Sequence, residues 1–228
     1  MEKTELQLKE EICDVGHRLW QLGFVAANDG NITVKVDEDI FLTTPTGTSK
    51  SILTPEMIIK VNSKGEVLEG AEGYRPSSEL PMHMRCYKER PDIRAVVHAH
   101  PPTATGFAIA HIPLDSYTMP EAIIFLGSVP IAKYGTPSTN EIPDAVSVYL
   151  PEHDSILLEN HGALTVGVDL RTAYYRMETI EHFAKVTLVA RQLGGEVELP
   201  RDKIDACLKV RENFKVPGRH PGYKKYSK

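Results

Sequence analysis

A pair of histidines separated by one residue is the feature of this sequence most suggestive of chemistry. His98 and His100 close an apolar run that begins at Ala95. On a β-strand, residues two positions apart point to the same face, so both imidazoles can bind one ion without distorting the backbone. Two neutral imidazoles suit zinc and its neighbours in the transition series. The segment therefore predicts a metal site.

His161 is the best candidate for a third ligand, which a catalytic zinc site needs besides an open position. It follows a predicted apolar strand and precedes Gly162, which lets the backbone approach closely. The competing interpretation is that these are ordinary core or surface histidines, as single histidines usually are. A strand-borne pair joined by a third histidine at a glycine turn favours the metal site. The remaining histidines lack such a context and are assigned structural roles: His17, His83, His111, His153, His182 and His220.

Two hydroxyls and a carboxylate lie together at a predicted helix start, in Ser77, Ser78 and Glu79. Exposed N–H groups and the helix dipole favour an anion at such a position. One interpretation is plain helix capping, with Glu79 complementing the dipole. The other is a phosphate site at the two serines, with Glu79 as a proton-transfer group. Further donors can come from glycine turns, which are equally good as ordinary turns: Gly30, Asn31, Thr46 and Gly47.

Hydrophobic periodicity indicates the elements that must position these residues. It predicts helices over about residues 5–23, 77–89, 103–110, 138–149 and 169–193. It predicts strands over about residues 32–36, 39–43, 57–61, 95–100, 156–160 and 163–166. Helices and strands mix without regular βαβ alternation. We therefore expect an α/β fold of the α+β type, a single domain with a central, mainly antiparallel β-sheet flanked by helices.

Composition limits the class of protein. The 228 residues, 41% of them hydrophobic, suit one domain over residues 1–228 with a basic tail at 215–228, and two small domains are the alternative. A net charge of −5 gives no electrostatic reason to expect nucleic acid as a partner. Three widely spaced cysteines argue against a disulfide framework and fit a reducing compartment. Without a signal peptide or a long apolar run, we expect a soluble, cytoplasmic protein with no membrane contact.

Taken together, the motifs resemble the class II aldolase/adducin family. The matching segments keep their order over about residues 6–195, most of the chain, and the set is specific although each motif alone is not. The segments are DGNIT at 29–33, TPTG at 44–47, PSSE at 76–79, VHAH at 97–100 and ENHG at 159–162, with YGT at 134–136 as a further shared element.

The resemblance implies a three-layer fold, a homotetramer with active sites between subunits, and one zinc ion per subunit, with Co²⁺ or Mn²⁺ as alternatives. By matching motif, His98, His100 and His161 correspond to the metal ligands. Glu79 corresponds to the acid/base and can also touch the metal. The implied phosphate ligands are Asn31, Thr46, Gly47, Ser77 and Ser78, beside Gly30. The candidates for the aldehyde side or an intersubunit contact are Tyr134, Tyr223 and Tyr226.

The activity implied by the resemblance is metal-dependent cleavage of a ketose 1-phosphate, such as L-fuculose 1-phosphate, to dihydroxyacetone phosphate and a small aldehyde through a zinc-stabilised enediolate. Glutamate at position 79 favours this, because epimerase-like members carry aspartate there. We expect partial burial to raise the pKa of Glu79 toward neutrality. The alternatives are a 5-deoxyribulose or 5-methylthioribulose 1-phosphate aldolase, an L-ribulose-5-phosphate 4-epimerase, a methylthioribulose-1-phosphate dehydratase and a non-catalytic adducin-like scaffold.

Overall fold

The structure is a computed structural model that describes residues 3–136 and 139–226. Within these ranges the helices are α1 (Glu5–Gln21), α2 (Leu80–Glu89), α3 (Pro102–Ile109), α4 (Pro120–Phe125), α5 (Glu141–Ser147), α6 (Leu170–Gln192) and α7 (Arg201–Asn213). Two short 3₁₀ helices lie at Lys50–Ile52 and Pro55–Met57. No helix in the described part of the chain is both long and apolar enough to cross a membrane.

The strands form one eight-stranded sheet with the order β4-β3-β2-β1-β5-β8-β7-β6. They are β1 (Asn31–Asp37), β2 (Ile40–Thr43), β3 (Ile59–Val61), β4 (Val67–Glu69), β5 (Ala95–Ala99), β6 (Ile131–Ala132), β7 (Ser155–Leu158) and β8 (Gly162–Gly167). Neighbouring strands of this sheet are antiparallel except β6 and β7, which are parallel. The predicted fold class is thus confirmed.

Helices cover both faces of the sheet, which makes three layers. One apolar cluster packs α1, α3 and α6 against strand residues such as Val97 and Leu157. The other packs α2 and α5 against strand residues such as Val96 and Ile156. Adjacent residues of one strand belong to opposite clusters because side chains alternate along a strand. His98, two residues after Val96, therefore faces the layer that contains α2.

The two longest helices begin at caps that are visible in the sequence. Thr4 and Gln7 form a capping box at the start of α1. Asp169 accepts the N–H of Thr172 at 2.7 Å at the start of α6. Each cap satisfies N–H groups that have no partner within the first helical turn. Prediction and structure accordingly agree to within two or so residues at these helices.

The sequence does not predict four of the described α-helices and strands, β4, β6, α4 and α7, nor the two 3₁₀ helices. The first two span three and two residues, too few for a periodic pattern. Helix α7 buries only Ile204 and Arg211, and it packs on α4 in a small separate cluster. The predicted helix over 138–149 is observed as Glu141–Ser147, and its predicted start at Ser138 lies outside the described residues. The division of the chain into one domain and a tail stays a prediction.

Candidate metal centre

The register of the central strands brings three histidines together. His98 lies on β5, His100 follows that strand directly, and His161 immediately precedes β8, which pairs with β5. The candidate ligand nitrogens all lie within 4.8 Å of one another. The Nε2 atoms of His98 and His100 are 3.1 Å apart. We call this set the three-histidine cluster.

The carboxylate of Glu79 lies against this cluster. Its Oε2 is 3.4 Å from Nε2 of His98, and its Oε1 is 3.3 Å from Nε2 of His161. Bonds of about 2.0–2.1 Å around a tetrahedral zinc ion place the donor atoms roughly 3.3–3.4 Å apart. Three donor separations, 3.1, 3.4 and 3.3 Å, are close to those of such a site, and the histidine nitrogens as a set lie within 4.8 Å, so the four side chains can converge on one divalent ion.

Two oxygen atoms beside the cluster are buried without a hydrogen-bond partner, Oε1 of Glu79 and Oδ1 of Asn31. Leaving a buried polar atom without a partner is costly, and such atoms in native proteins commonly mark a missing ion or water. A cation held by the three histidines would satisfy the Glu79 oxygen. This is a second, independent reason to regard the cluster as a metal site.

Groups behind the histidines orient their rings. Nδ1 of His98 lies 3.0 Å from the carbonyl oxygen of Ala163. A carbonyl can only accept, so Nδ1 carries the proton and Nε2 keeps its lone pair for a metal. Nδ1 of His100 lies 3.4 Å from Oδ2 of Asp29. Both contacts point the Nε2 atoms toward the centre of the cluster.

Burial sets the charges of these groups. It lowers the pKa of His98 to about 3 and also lowers the pKa of His161. Burial by itself raises the pKa of Glu79, but the adjacent His98 and His161 and the amide of Asn31 outweigh it and lower that pKa to about 2. The expected rise toward neutrality is therefore wrong for the metal-free protein. At neutral pH His98 and His161 are therefore neutral beside an ionised Glu79, the protonation states that metal binding needs.

The start of α2 separates the two interpretations of the Pro-Ser-Ser-Glu segment. Oγ of Ser77 accepts the backbone N–H of Glu79 at 3.2 Å, so this serine does cap the chain ahead of the helix. The Glu79 side chain makes no capping hydrogen bond. Its Oε2 instead accepts an N–H from Asn31 at 2.7 Å. Helix capping thus explains Ser77. It does not explain Glu79, whose side chain points toward Asn31 and the three-histidine cluster.

Three loops carry the predicted phosphate ligands: the first (residues 28–31, ending where β1 begins), the second (44–48) and the third (75–79). Nδ2 of Asn31, in the first loop, also donates to Oγ of Ser77 in the third at 3.3 Å. The backbone N–H of Thr46, in the second loop, donates to the carbonyl of Arg75 at 2.8 Å. Asn31 is buried, whereas Thr46, Gly47 and Ser78 are exposed. Asn31 and Ser77 of the predicted set therefore lie together beside Glu79, and the second loop joins the third through Thr46.

Gly30 has a packing reason to be glycine. Its φ is +71°, and a Cβ atom there would lie 2.6 Å from the side chain of Val25 and 2.9 Å from the carbonyl of His98. A positive φ and so close an approach both favour glycine. The structure thus explains Gly30 by the contact between the first loop and β5, without a ligand.

The three tyrosine candidates lie in different places. Tyr134 is 56% exposed, and its backbone N–H donates to Glu159, two residues before His161. The hydroxyl of Tyr223 contacts Glu198, and that of Tyr226 lies 2.5 Å from Nε2 of His153. His153 precedes β7, whereas His161 follows that strand. Within one protomer Tyr226 therefore lies at the opposite end of β7 from the cluster, whereas Tyr223 lies beside Glu198.

Sequence reasoning missed several residues that support the site. Asp29 lies within a matched motif but was not assigned a role there, and the structure places it on His100. Glu181 of α6 accepts the N–H groups of Thr103 and Ala104 at 3.0 and 2.9 Å, which caps α3 just after His100. No local pattern could reveal this cap, because the accepting residue, Glu181, lies 77 residues along the chain from Ala104.

Gly162→Ala tests the close packing under the cluster. A Cβ atom at position 162 would lie 2.6 Å from the carbonyl oxygen of Ala99 and 2.6 Å from Cδ2 of His100. We expect destabilisation of about 1–3 kcal/mol from overpacking and a metal affinity lower by about 10-fold or more, because the ring of His100 must move. Calorimetric metal titration and thermal unfolding measure both.

Gly106→Ala is the matched control, because nothing lies within 4 Å of a Cβ atom at that α3 position. It should leave the metal affinity unchanged and favour the helix slightly. A Gly162→Ala variant with the metal affinity of the unmodified protein would contradict the role of this close contact in placing His100.

Comparison with known proteins agrees with this geometry. Residues 10–188 match the family described as the class II aldolase and adducin N-terminal domain. An L-fuculose phosphate aldolase of Methanococcus vannielii is 35% identical over 79% of this chain and 95% of its own. A 5-deoxy-D-ribulose 1-phosphate aldolase of Bacillus thuringiensis serovar kurstaki is 31% identical over 90% of this chain and 96% of its own.

Two further relatives widen the comparison. A 3-oxo-tetronate 4-phosphate decarboxylase of Escherichia coli (strain K12) is 30% identical over 82% of this chain and 89% of its own. A solved L-fuculose 1-phosphate aldolase structure superimposes with a TM-score of 0.83 at 28% identity, covering 94% of this chain and 98% of that one. The family model matches most of the chain, and the fold and the three-histidine cluster agree with it. The chain therefore belongs to the class II aldolase and adducin family.

Proposed function

We propose that the protein is a zinc-dependent aldolase that cleaves a ketose 1-phosphate to dihydroxyacetone phosphate and a small aldehyde, with L-fuculose 1-phosphate as the first substrate to test. The observation that carries the proposal is the Glu79 carboxylate, which lies 3.4 and 3.3 Å from the Nε2 atoms of His98 and His161. An acid/base within reach of the metal donors is what this reaction requires. The aldolases among the relatives support the substrate class.

Breaking the bond between C3 and C4 of the ketose leaves an electron pair on the C3 side as an enediolate. A divalent ion on the three imidazoles would supply Lewis-acid stabilisation of that charge. In the direction of aldol formation, ionised Glu79 accepts the proton from the carbon that becomes C3. In the direction of cleavage, the same group returns that proton after C4 has left. Asn31 holds Oε2 in place through its 2.7 Å hydrogen bond.

The aldehyde oxygen needs a second proton-transfer group, for which a tyrosine is the expected type. Tyr134, Tyr223 and Tyr226 are the candidates. Tyr226 lies at the far end of β7 in its own protomer and Tyr223 lies beside Glu198, so we assign the tail pair to a site across a subunit boundary. We therefore include a homotetramer with active sites between subunits in the proposal.

The phosphate of the substrate anchors it beside the carboxylate. The contacts of Asn31 with Ser77 and Glu79 support this position, and remote binding energy of this kind helps to orient the reacting carbon atoms. The proposed ligands are Gly30, Asn31, Thr46, Gly47, Ser77 and Ser78. Zinc is the proposed metal, and cobalt and manganese are alternatives for the same donors.

Replacing Ser77 and Ser78 together with alanine tests this anchor. We expect KM for a ketose 1-phosphate to rise about 10-fold or more, with kcat changed much less, because binding is lost equally from substrate and transition state. Ser63→Ala/Ser147→Ala removes two hydroxyls away from the loops and is the control. Steady-state kinetics with an unchanged KM in the Ser77/Ser78 variant would place the phosphate elsewhere.

A screen of ketose 1-phosphates tests the function itself. Released dihydroxyacetone phosphate is assayed with and without a chelator, using L-fuculose 1-phosphate and the 5-deoxyribulose and 5-methylthioribulose 1-phosphates. We expect chelator-sensitive release from at least one of them. An epimeric pentose phosphate or a dehydrated diketone as the product would instead indicate the epimerase or the dehydratase.

The decarboxylase relative motivates one further substrate. A 2-hydroxy-3-oxo acid bearing a terminal phosphate would lose carbon dioxide and leave the same kind of enediolate, so the cluster suits that reaction as well. Carbon dioxide release without any aldol cleavage would replace the proposal with this second function. A non-catalytic adducin-like scaffold predicts purified protein with no stoichiometric metal, which elemental analysis tests directly.

A further inference from the structure

Lys50 is a buried cation that the reaction described above does not use. Only 1% of its surface is exposed. Its stem lies beside α1, where Cβ of Lys50 is 3.6 Å from the position of a Cβ atom at Gly16. Its ammonium donates to the carbonyl oxygens of Asn28 at 3.3 Å and of Thr48 at 3.0 Å. A fully buried lysine is rare unless a partner compensates its charge.

The two carbonyls belong to two of the three loops proposed to hold phosphate. Asn28 precedes Gly30 and Asn31 in the first loop, and Thr48 follows Gly47 in the second. Carbonyl oxygens repel an anion, and here two of them are directed at the ammonium. Lys50 thus ties the first loop to the second and occupies two carbonyl oxygens that would otherwise repel an anion bound between the loops.

The charge of Lys50 is not neutralised by a contact. No carboxylate lies within 4.0 Å of its Nζ in residues 3–136 and 139–226, and its described partners are both neutral. Burial lowers the pKa of Lys50 to about 8, while Asp29 and Glu79 act from farther away to raise it. The ammonium is therefore still protonated at neutral pH. An uncompensated buried charge is destabilising, and an anion bound close by would offset that cost.

We propose that Lys50 is a specificity-determining residue that makes the site select phosphorylated over unphosphorylated substrates, by placing a buried positive charge behind the first and second loops. This deepens the proposed function and rests on it for the identity of the substrate. A phosphate dianion between the loops gives the ammonium an opposite charge closer than the carboxylates of Asp29 and Glu79, neither of which lies in contact with it. An uncharged ligand gains nothing from the ammonium.

Two variants separate the charge of Lys50 from its hydrogen bonds. Lys50→Gln keeps an N–H donor for one carbonyl without the charge, and Lys50→Met keeps only the stem. The control is Lys35→Met, which removes one cation from β1 outside the three loops. Each metal-loaded variant is titrated with inorganic phosphate by calorimetry, and KM and kcat are compared for a ketose 1-phosphate and the free ketose. Metal content and melting temperature show that each variant is folded.

We expect both Lys50 variants to bind phosphate at least about 10-fold more weakly, since a buried charge partner is lost. KM for the phosphorylated ketose should rise in parallel, kcat should change by less than about threefold, and the weak reaction of the free ketose should be unaltered. Lys35→Met should match the unmodified protein. A folded Lys50→Gln protein with unchanged phosphate affinity would overturn the proposal and leave Lys50 a loop-positioning residue.

A crystal structure of the unmodified protein with phosphate decides the case if the variants do not fold. The anion is expected within roughly 6 Å of Nζ of Lys50, a range over which the two charges interact strongly. An anion bound away from the first and second loops would refute the assignment. Phosphate binding requires no turnover, so charge-dependent binding together with no aldol cleavage would reject the proposed function while this role of Lys50 stands.

Discussion

Replacing His98 with alanine is expected to strip the metal from the protein and abolish turnover. His98 is completely buried, and its Nε2 is 3.1 Å from that of His100 and 3.4 Å from Oε2 of Glu79, so it is the donor that links the others. Two histidines alone leave too few protein ligands for a catalytic zinc ion. We expect less than about a tenth of one metal equivalent and a kcat/KM lower by about 10³-fold or more.

Elemental analysis of the purified variant and steady-state kinetics measure these effects. His182→Ala is the control, because His182 is an exposed residue of α6 away from the cluster, and it should retain full metal content. Substantial activity of His98→Ala in the presence of a chelator would end the metal assignment. A variant that keeps its metal but loses activity would instead show that His98 acts on the substrate.

Changing Glu79 to glutamine is expected to leave the metal bound and to collapse catalysis. Glutamine has the same shape, and Asn31 can still donate to its side-chain oxygen, as it does to Oε2 of Glu79 at 2.7 Å. It cannot accept a proton, whereas the carboxylate is ionised at neutral pH with a pKa of about 2. We expect kcat to fall by about 10²–10⁴-fold, the usual range for a lost general acid/base.

Glu89→Gln is the matched control at the other end of α2, where the carboxylate pairs with Arg85 at the surface. Metal analysis and steady-state kinetics measure the two expected effects. Exchange of solvent deuterium into dihydroxyacetone phosphate reports the proton-transfer step alone. Normal exchange in Glu79→Gln would remove this residue from the mechanism. Loss of the metal as well would mean that Glu79 serves mainly as a fourth ligand.

The accuracy of sequence reasoning differs among the parts of this site. His98 and His100 could be paired without a structure, because alternation along a strand puts residues two apart on one face. The left-handed turn before His161 could not be predicted from the sequence. Asn160 has a φ of +55°, and its side chain lies 2.8 Å from His111, a residue to which the sequence assigns only a structural role. His111 acquires that contact through the folding of α3 against the turn.

The pKa values and the burial of charged groups were the features that the sequence predicted least accurately. The sequence suggested that burial would raise the pKa of Glu79, and burial does act in that direction. The net shift in the pKa of Glu79 depends on the imidazoles and the amide that surround its carboxylate. These neighbours come from three separate strands or turns. The burial of Lys50 could not be predicted from the sequence either, since an isolated lysine between serines is typical of an exposed loop.

What the sequence alone determined is the chemistry available: three imidazoles, one carboxylate and loops rich in hydroxyl and amide donors, together with the strands and capped helices that bear them. These follow from local rules, because periodicity, turns and caps extend over only a few residues. The tertiary structure alone decided which groups from distant segments meet. The pairing of β1 with β5 sets Asn31 opposite His98, and the same fold carries Glu181 to α3 and buries Lys50 behind two loops. Such contacts join residues far apart in the chain, and their energies depend on burial that no short segment encodes.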